Sequence, residues 1–332
     1  MKIKKYLIHF ILLFALITLS FACNNEKATK KCLENFAAFD IGSGTTKLKI
    51  AEVDICARKL VKVINYMTSP VPYAQDMKSN HGKFSEEIIK YGTKTIDKLI
   101  ESAKKYNVTK VLGVATSAFR LSSNGRDVIS GWNKKFNLKF RVIDQKEEAL
   151  LGYDSVALHD SFRYVVWDIG GGSMQIVENT DGKPFIYLGN IASVPFKNAV
   201  IEKIKKKELK TPNPMNQKEF EDSILLSMQL FNEEINNNKL KNFSSDVKFI
   251  GIGGLHKSLL PDGKNFYTYE DMEERAHSFY NKSDDQIDSK YKDTMVSNIA
   301  LVMGFMKLFK IDKIEVHDVV LSDGLIYQEL MY

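Results

Sequence analysis

DIGSGTTKLKI, residues 40–50, and DIGGGSMQIVE, residues 168–178, are two copies of one element. Each reads as a strand ending in an acid, then a glycine-rich turn, then a second strand. Working outward from the first copy, strands are expected over 36–40, 47–53 and 60–66, with turns at 42–44 and 54–59. From the second copy they are expected over 164–168, 174–178 and 185–188, with turns at 169–173 and at Asp181-Gly182. A duplicated strand–acid–turn–strand unit predicts two related α/β domains. The remaining periodicities predict helices over 85–106, 124–135, 146–158, 220–235, 269–280 and 294–309, and strands over 111–115, 140–143 and 248–252.

A chain of 332 residues suits two domains of roughly 100 to 200 residues each. Hydrophobic content of 44% with 27% charged residues is ordinary for a protein that folds in water. The N-terminus stands apart: Lys2, Lys4 and Lys5 precede an apolar run over 6–22, the pattern of a signal peptide. Cys23 follows Ala22 as in a lipoprotein cleavage box, so Cys23 is the expected lipidation site, with 23–35 as a polar tether. Lipidation would hold the protein outside the cytoplasm, in the periplasm or at the cell surface; an uncleaved anchor and a cleaved soluble protein are the alternatives.

Residues 1–22 contain three lysines and no acid, so without them the formal charge falls from +6 to +3. A balance so mild excludes a dedicated nucleic-acid binder and leaves a polyanionic ligand open. Cys23, Cys32 and Cys56 form neither a disulfide framework nor a CxxC zinc pair, although a Cys32–Cys56 bridge is conceivable. The six histidines lack metal-ligand spacing. The lysine run at 203, 205, 206, 207 and 210 reads either as a solvated helix face or as a track for a long polyanion.

The chemistry lies in the two turns. Asp40 and Asp168 end strands, and the glycines after them let backbone N–H groups approach an anion closely. Carboxylates beside an anionic ligand call for a divalent cation between them, Mg²⁺ or Mn²⁺. One such turn reads equally well as a tight hairpin; two matched copies favour a phosphate chain gripped at two points. Ser43, Gly44, Thr45, Gly170, Gly171, Gly172 and Ser173 would supply the donors, and Gly253 and Gly254 could add to them.

The motifs Asp40-Ile-Gly-Ser-Gly44, Ala115-Thr-Ser-Ala-Phe-Arg120 with Asn124, Glu147-Glu148-Ala149, Asp168-Ile-Gly-Gly-Gly-Ser173, Gly251-Ile-Gly-Gly254 and Leu321-Ser-Asp-Gly-Leu325 occur in an order that resembles the Ppx/GppA phosphatase family. The likeness covers nearly everything after Phe36 and is to the short, two-domain form. It implies two related actin-like (ribonuclease H-like) ATPase-type α/β domains with an interdomain cleft. Domain I would span 36–145, with a C-terminal helix over 322–332 that could return to it, and domain II 146–321. It also implies a Mg²⁺-assisted hydrolase of phosphoanhydride bonds in polyphosphate or guanosine pentaphosphate, with Glu148 as base for the attacking water and Arg120 on phosphate.

Two departures stand out: Gly44 and Thr45 replace the family's usual Asn and Ser, and Leu150 replaces an Arg, which removes a cation from a distal phosphate. Gly152-Tyr153 and Ser173-Met-Gln-Ile176 lean toward the ecto-apyrases of the same superfamily, nucleoside di- and triphosphate hydrolases. A non-catalytic polyphosphate- or nucleotide-binding protein is a further alternative. No specific nucleic-acid partner is expected, and a homodimer is compatible with the sequence.

Overall fold

The computed structural model of the chain describes residues 32–157, 163–180, 183–244 and 247–332. The expected signal segment 1–22, the lipidation at Cys23, the tether as far as residue 31 and the Asp181-Gly182 turn lie outside the described residues. Among the described residues, no helix is long and apolar enough to cross a membrane. The chain forms two units: one ends at Val142 and regains Leu325–Tyr332, and the other is Ile143–Gly324.

In the first unit, β1 (Leu33–Ile41), β2 (Thr45–Asp54) and β3 (Lys59–Pro70) form an antiparallel meander. There follow α1 (Tyr73–Ser79), α2 (Glu86–Lys104), β4 (Val108–Ala115), α3 (Ser117–Leu121), α4 (Gly125–Phe136) and β5 (Arg141–Val142). The sheet order is β3-β2-β1-β4-β5, with β4 parallel to β1 and β5 parallel to β4. α2 starts where Ser85 Oγ accepts the Ile88 N–H at 3.2 Å, an N-cap. Its Ile88, Ile96 and Leu99 recur at helical spacing and join Phe39, Ile41, Leu48 and Ile50 of the sheet in one core. Burying such side chains stabilises by about 1.5–3 kcal/mol each.

The bridge that the sequence leaves merely conceivable is formed. Cys32 and Cys56 form a disulfide with Cα atoms 5.5 Å apart, because the β1–β2 register sets Leu33 opposite Asp54 and brings the Ile55 N–H onto Cys32 O at 2.9 Å. For the same reason the strand starts at Leu33, inside the stretch expected to be tether.

The second unit contains α5 (Gln145–Ala157), β6 (Tyr164–Ile169), β7 (Met174–Thr180), β8 (Lys183–Gly189) and α6 (Ser193–Val200), which runs on into a π-helical turn (Ile201–Lys205). After it come α7 (Gln217–Asn236), β9 (Lys248–Ile252), α8 (Gly253–Leu259), β10 (Phe266–Thr268), α9 (Tyr269–His277), α10 (Met295–Phe309), β11 (Lys313–Val316) and α11 (Leu321–Met331). From Leu325 onward α11 belongs to the first unit. The sheet order β10-β11-β9-β6-β7-β8 repeats the first unit: a meander β6-β7-β8, then β9 parallel to β6 and β11 parallel to β9. β10 is an added antiparallel edge. α10 is buried without a break from Met295 to Met306, and Trp167 of β6 stacks on its Phe305 at 3.9 Å. Six short elements, α1, α3, α6, α8, β10 and β11, have no counterpart among those expected from sequence.

Candidate active site

The two glycine turns share one hydrogen-bond plan. Gly42 N–H donates to Thr45 O, and Gly170 N–H to Ser173 O, each at 2.9 Å. In each unit the chain after the third strand returns to cover the turn: the Val71 and Ala74 N–H groups donate to Gly44 O and Ser43 O, and those of Ser193 and Val194 to Gly170 O and Gly171 O. The turn carbonyls are thereby taken, while the N–H groups of Ser43, Gly44, Gly171 and Gly172 make no hydrogen bond among the described residues. A Cβ at Gly44, Gly171 or Gly172 would meet nothing within 4 Å. The turns therefore carry N–H groups that no acceptor among the described residues takes and glycines with open space at the Cβ position, an arrangement that can receive an anion.

In the first unit, Asp40 is buried at the end of β1 and its Oδ2 accepts from Lys47 Nζ at 2.9 Å. Lys47 is its cross-strand neighbour. Ser43 Oγ accepts the Ala118 N–H at 3.2 Å, and the Thr116 N–H donates to Ile41 O at 3.1 Å. These bonds tie α3, and with it the half-buried Arg120, to the turn that carries Ser43, Gly44 and Thr45. Asn124 acts elsewhere, since its side chain accepts from Phe84 N–H at 2.9 Å and donates to Phe84 O at 3.0 Å, clasping the segment before α2.

In the second unit, Asp168 ends β6 half-buried, with Gln175 opposite it across the hairpin. Gln175 Nε2 donates to Ser173 Oγ at 3.3 Å. Asp168 also pairs in register with Ile252 of β9, so the next residue, Gly253, lies against the carboxylate. Gly253 has φ +87°, and a Cβ there would stand 2.6 Å from Asp168 Oδ1. At Gly254 a Cβ would stand 2.4 Å from Tyr291 Oη, so its missing side chain serves packing. Glu148 lies in the first turn of α5, half-buried. The helix is capped by Asp144, whose Oδ1 accepts the Glu147 N–H at 2.8 Å and whose carbonyl accepts the Glu148 N–H at 3.0 Å. Gly152 of α5 meets the Ile252 side chain, and Leu151 meets Gly324, which fixes the helix against the strand that leads to Gly253.

The lysine run divides. Lys205 Nζ donates to Pro214 O and to Glu219 Oε1, both at 2.8 Å, while Lys203, Lys206, Lys207 and Lys210 are exposed. Lys47 and Gln175 belong with the site although the sequence reading gave neither a role there. The signal was positional, since each stands seven residues after its acid, the distance that makes it the cross-strand neighbour in that hairpin.

The donor set fits a hard divalent cation in one way and not in another. Among the described residues the one cluster of three potential ligand side chains is Cys32, Asp54 and Cys56, and its two sulfurs are bonded to each other. An all-protein cage is therefore not built. Mg²⁺ needs none, because it keeps several waters and binds through one or two carboxylates plus phosphate oxygens. Asp168, half-buried at the end of β6 beside the Gly170–Ser173 turn, is a carboxylate of the kind that mode uses. At Asp40 a cation would meet a carboxylate already held by Lys47.

Two sheets of one strand order, each with an acid-tipped glycine hairpin whose turn N–H groups have no acceptor among the described residues, define an α/β protein of the actin-like type with two related units. Comparison with known proteins agrees with that class. Residues 55–188 match the model of the Ppx/GppA phosphatase family, which shows the resemblance read from the motifs. The matched stretch holds Arg120, Glu148, Asp168 and Gly170–Ser173, and leaves out Asp40, Gly253 and Gly254.

Among solved structures, the chain is similar to the Ppx/GppA family member of Aquifex aeolicus, with 19% identity and a TM-score of 0.74 over 90% of this chain and 98% of that one. It is similar to the type II variant of the Aquifex aeolicus Ppx/GppA phosphatase, with 19% identity, a TM-score of 0.69, and 90% and 100% coverage. An exopolyphosphatase from Cytophaga hutchinsonii gives 20% identity, a TM-score of 0.65, and 90% and 98% coverage. Identities of this size establish the fold. No curated protein matches the sequence.

Proposed function

We propose that the protein hydrolyses phosphoanhydride bonds of inorganic polyphosphate or guanosine pentaphosphate, with water as nucleophile. The observation that carries this reading is the pair of acid-tipped glycine turns of one hydrogen-bond plan, with Asp168, the Gly170–Ser173 donors and Glu148 all inside the stretch that matches a phosphatase family. Glu148 orients the water and takes its proton. The N–H groups of Gly171 and Gly172 hold phosphate oxygens as charge develops. In the first unit, Ser43, Gly44, Thr45, Lys47 and Arg120 offer a second anion cradle, Arg120 through a planar fork. Phosphoryl transfer asks mainly for positioning and charge stabilisation, which such groups supply. Mg²⁺ or Mn²⁺ at Asp168 would neutralise phosphate oxygens and favour departure of the leaving phosphate.

The export reading belongs to this proposal: a signal over 1–22 and a lipid on Cys23 hold the enzyme at a membrane outside the cytoplasm. The Cys32–Cys56 bridge supports it, since disulfides persist in oxidising compartments. A second substrate class, nucleoside di- and triphosphates, rests on the likeness of Gly152-Tyr153 and Ser173-Met-Gln-Ile176 to the ecto-apyrases.

The test is phosphate release from long-chain polyphosphate, guanosine pentaphosphate, ATP and ADP, with Mg²⁺ and with EDTA. Metal-dependent release from polyphosphate or guanosine pentaphosphate is expected. Release from ATP and ADP alone would move the substrate to nucleotides, and tight binding without release of phosphate from any of the four would make the protein a binder.

A further inference from the structure

Exposed apolar side chains gather at one end of the first unit. Leu33, Ile55, Val61 and Val63 are between 39% and 46% exposed, and all lie on the start of β1, the β2–β3 turn or the start of β3. Strand register places them together, Leu33 opposite Asp54 and Asp54 opposite Lys59. Arg58 and Lys59 are exposed in the same turn. The surface thus mixes aliphatic groups with exposed Arg58 and Lys59, while of the neighbouring acids Asp54 accepts the Cys56 and Ala57 N–H groups and Glu52 pairs with Lys62. Its position along the chain is fixed as well, because the Cys32–Cys56 bridge ties the start of β1 to this turn.

Nine residues, 23–31, precede Cys32 and follow the apolar run, a span of at most about 30 Å when fully extended. They carry Lys27, Lys30 and Lys31 against one acid, Glu26. We infer that this hairpin end is a membrane-facing surface that rests on an anionic phospholipid headgroup layer. The inference depends on the anchored reading above. Short aliphatic side chains would enter the headgroup boundary, and Arg58 and Lys59 would meet lipid phosphates. A second copy of the chain is a poorer occupant, because a two-fold contact through this turn would set Arg58 and Lys59 against their own counterparts. The turn at Gly42 leaves from the opposite end of β1, about 26 Å further along the strand, so seating this end on lipid keeps that turn in water.

The full chain is placed in phosphatidylcholine vesicles with and without phosphatidylglycerol, and in detergent micelles. Carbene footprinting then reads the labelling of residues 55–63, and flotation reads attachment. Labelling is expected to be lower by about fivefold in the anionic vesicles than in micelles, the effect of roughly one basic contact with an anionic surface. The paired changes Val61→Asp/Val63→Asp and Arg58→Glu/Lys59→Glu should each restore labelling while flotation persists. Equal labelling in all three media by a chain that floats overturns the surface and leaves the anchor standing. A chain that does not float removes both. Protection in micelles that grows with protein concentration would assign the hairpin to a second copy and overturn the lipid reading.

Discussion

At Gly253 the backbone has φ +87° and the place of a Cβ lies 2.6 Å from Asp168 Oδ1. Gly253→Ala therefore strains the backbone and pushes the carboxylate aside. A stability loss of about 1–2 kcal/mol in urea melts is expected, with phosphate release down at least about tenfold; unchanged release would take Asp168 out of the chemistry. Glu148→Gln tests the base directly. The amide keeps the shape and loses the proton-accepting charge, so turnover should drop by about two to four decades while the melting curve stays in place, and near-normal turnover would end that role. His256 gives a pH prediction. Its ring is fully buried, with Nδ1 2.7 Å from Tyr267 Oη, and burial pushes its pKa down to about 3. The unfolded chain takes up this proton near the ordinary value of about 6.5, so the folded state keeps its full advantage above that pH. The advantage is lost as pH falls from there toward 3, by about 1.4 kcal/mol per pH unit. His256→Phe should flatten the fall in stability between pH 6.5 and 4; an unchanged slope would show that His256 is not held neutral.

Elements differ in how far a sequence reveals them, and the reason is where their determinants lie. α2, α7 and α10 are long, so apolar spacing alone marks them, and β9 was read with its observed bounds, Lys248–Ile252. β11 is four residues, Lys313–Val316, and is a strand because it pairs with β9, more than sixty residues earlier in the chain. No local pattern carries that information. α8 starts with two glycines and reads as a turn, yet the positive φ of Gly253 opens a helix there. The junction of α5 with α11 was equally hidden: the helix expected over 322–332 takes in Gly324, but no local pattern shows that a Cβ on it would stand 2.1 Å from Leu151 O. Since α5 carries Glu148, Gly324→Ala should displace that helix. A loss of about 1–3 kcal/mol, the usual range for overpacking, is expected in denaturant melts, together with reduced phosphate release. Wild-type stability in Gly324→Ala would show that the two helices separate at little cost.

Across the whole chain the duplication was legible because both hairpins kept the acid, the glycines and the second strand, residue for residue, from Asp40 and from Asp168. The Cys32–Cys56 bridge was not, since two cysteines 24 positions apart are brought together by the hairpin register and not by their spacing. That bridge lies wholly in the first unit, and each unit has its own apolar core, so two transitions are expected in a calorimetric scan. A loop of this length contributes about 3 kcal/mol by restricting the unfolded chain. For a unit of this size that corresponds to roughly 10 °C in Tm. Cys32→Ser with Cys56→Ser should therefore lower one transition by about that amount and leave the other where it was, and a reductant should do the same to the unaltered protein. One peak that shifts as a whole would mean that the units unfold as a single body, and two peaks that both stay in place would mean that the bridge restricts nothing the unfolded chain would otherwise explore.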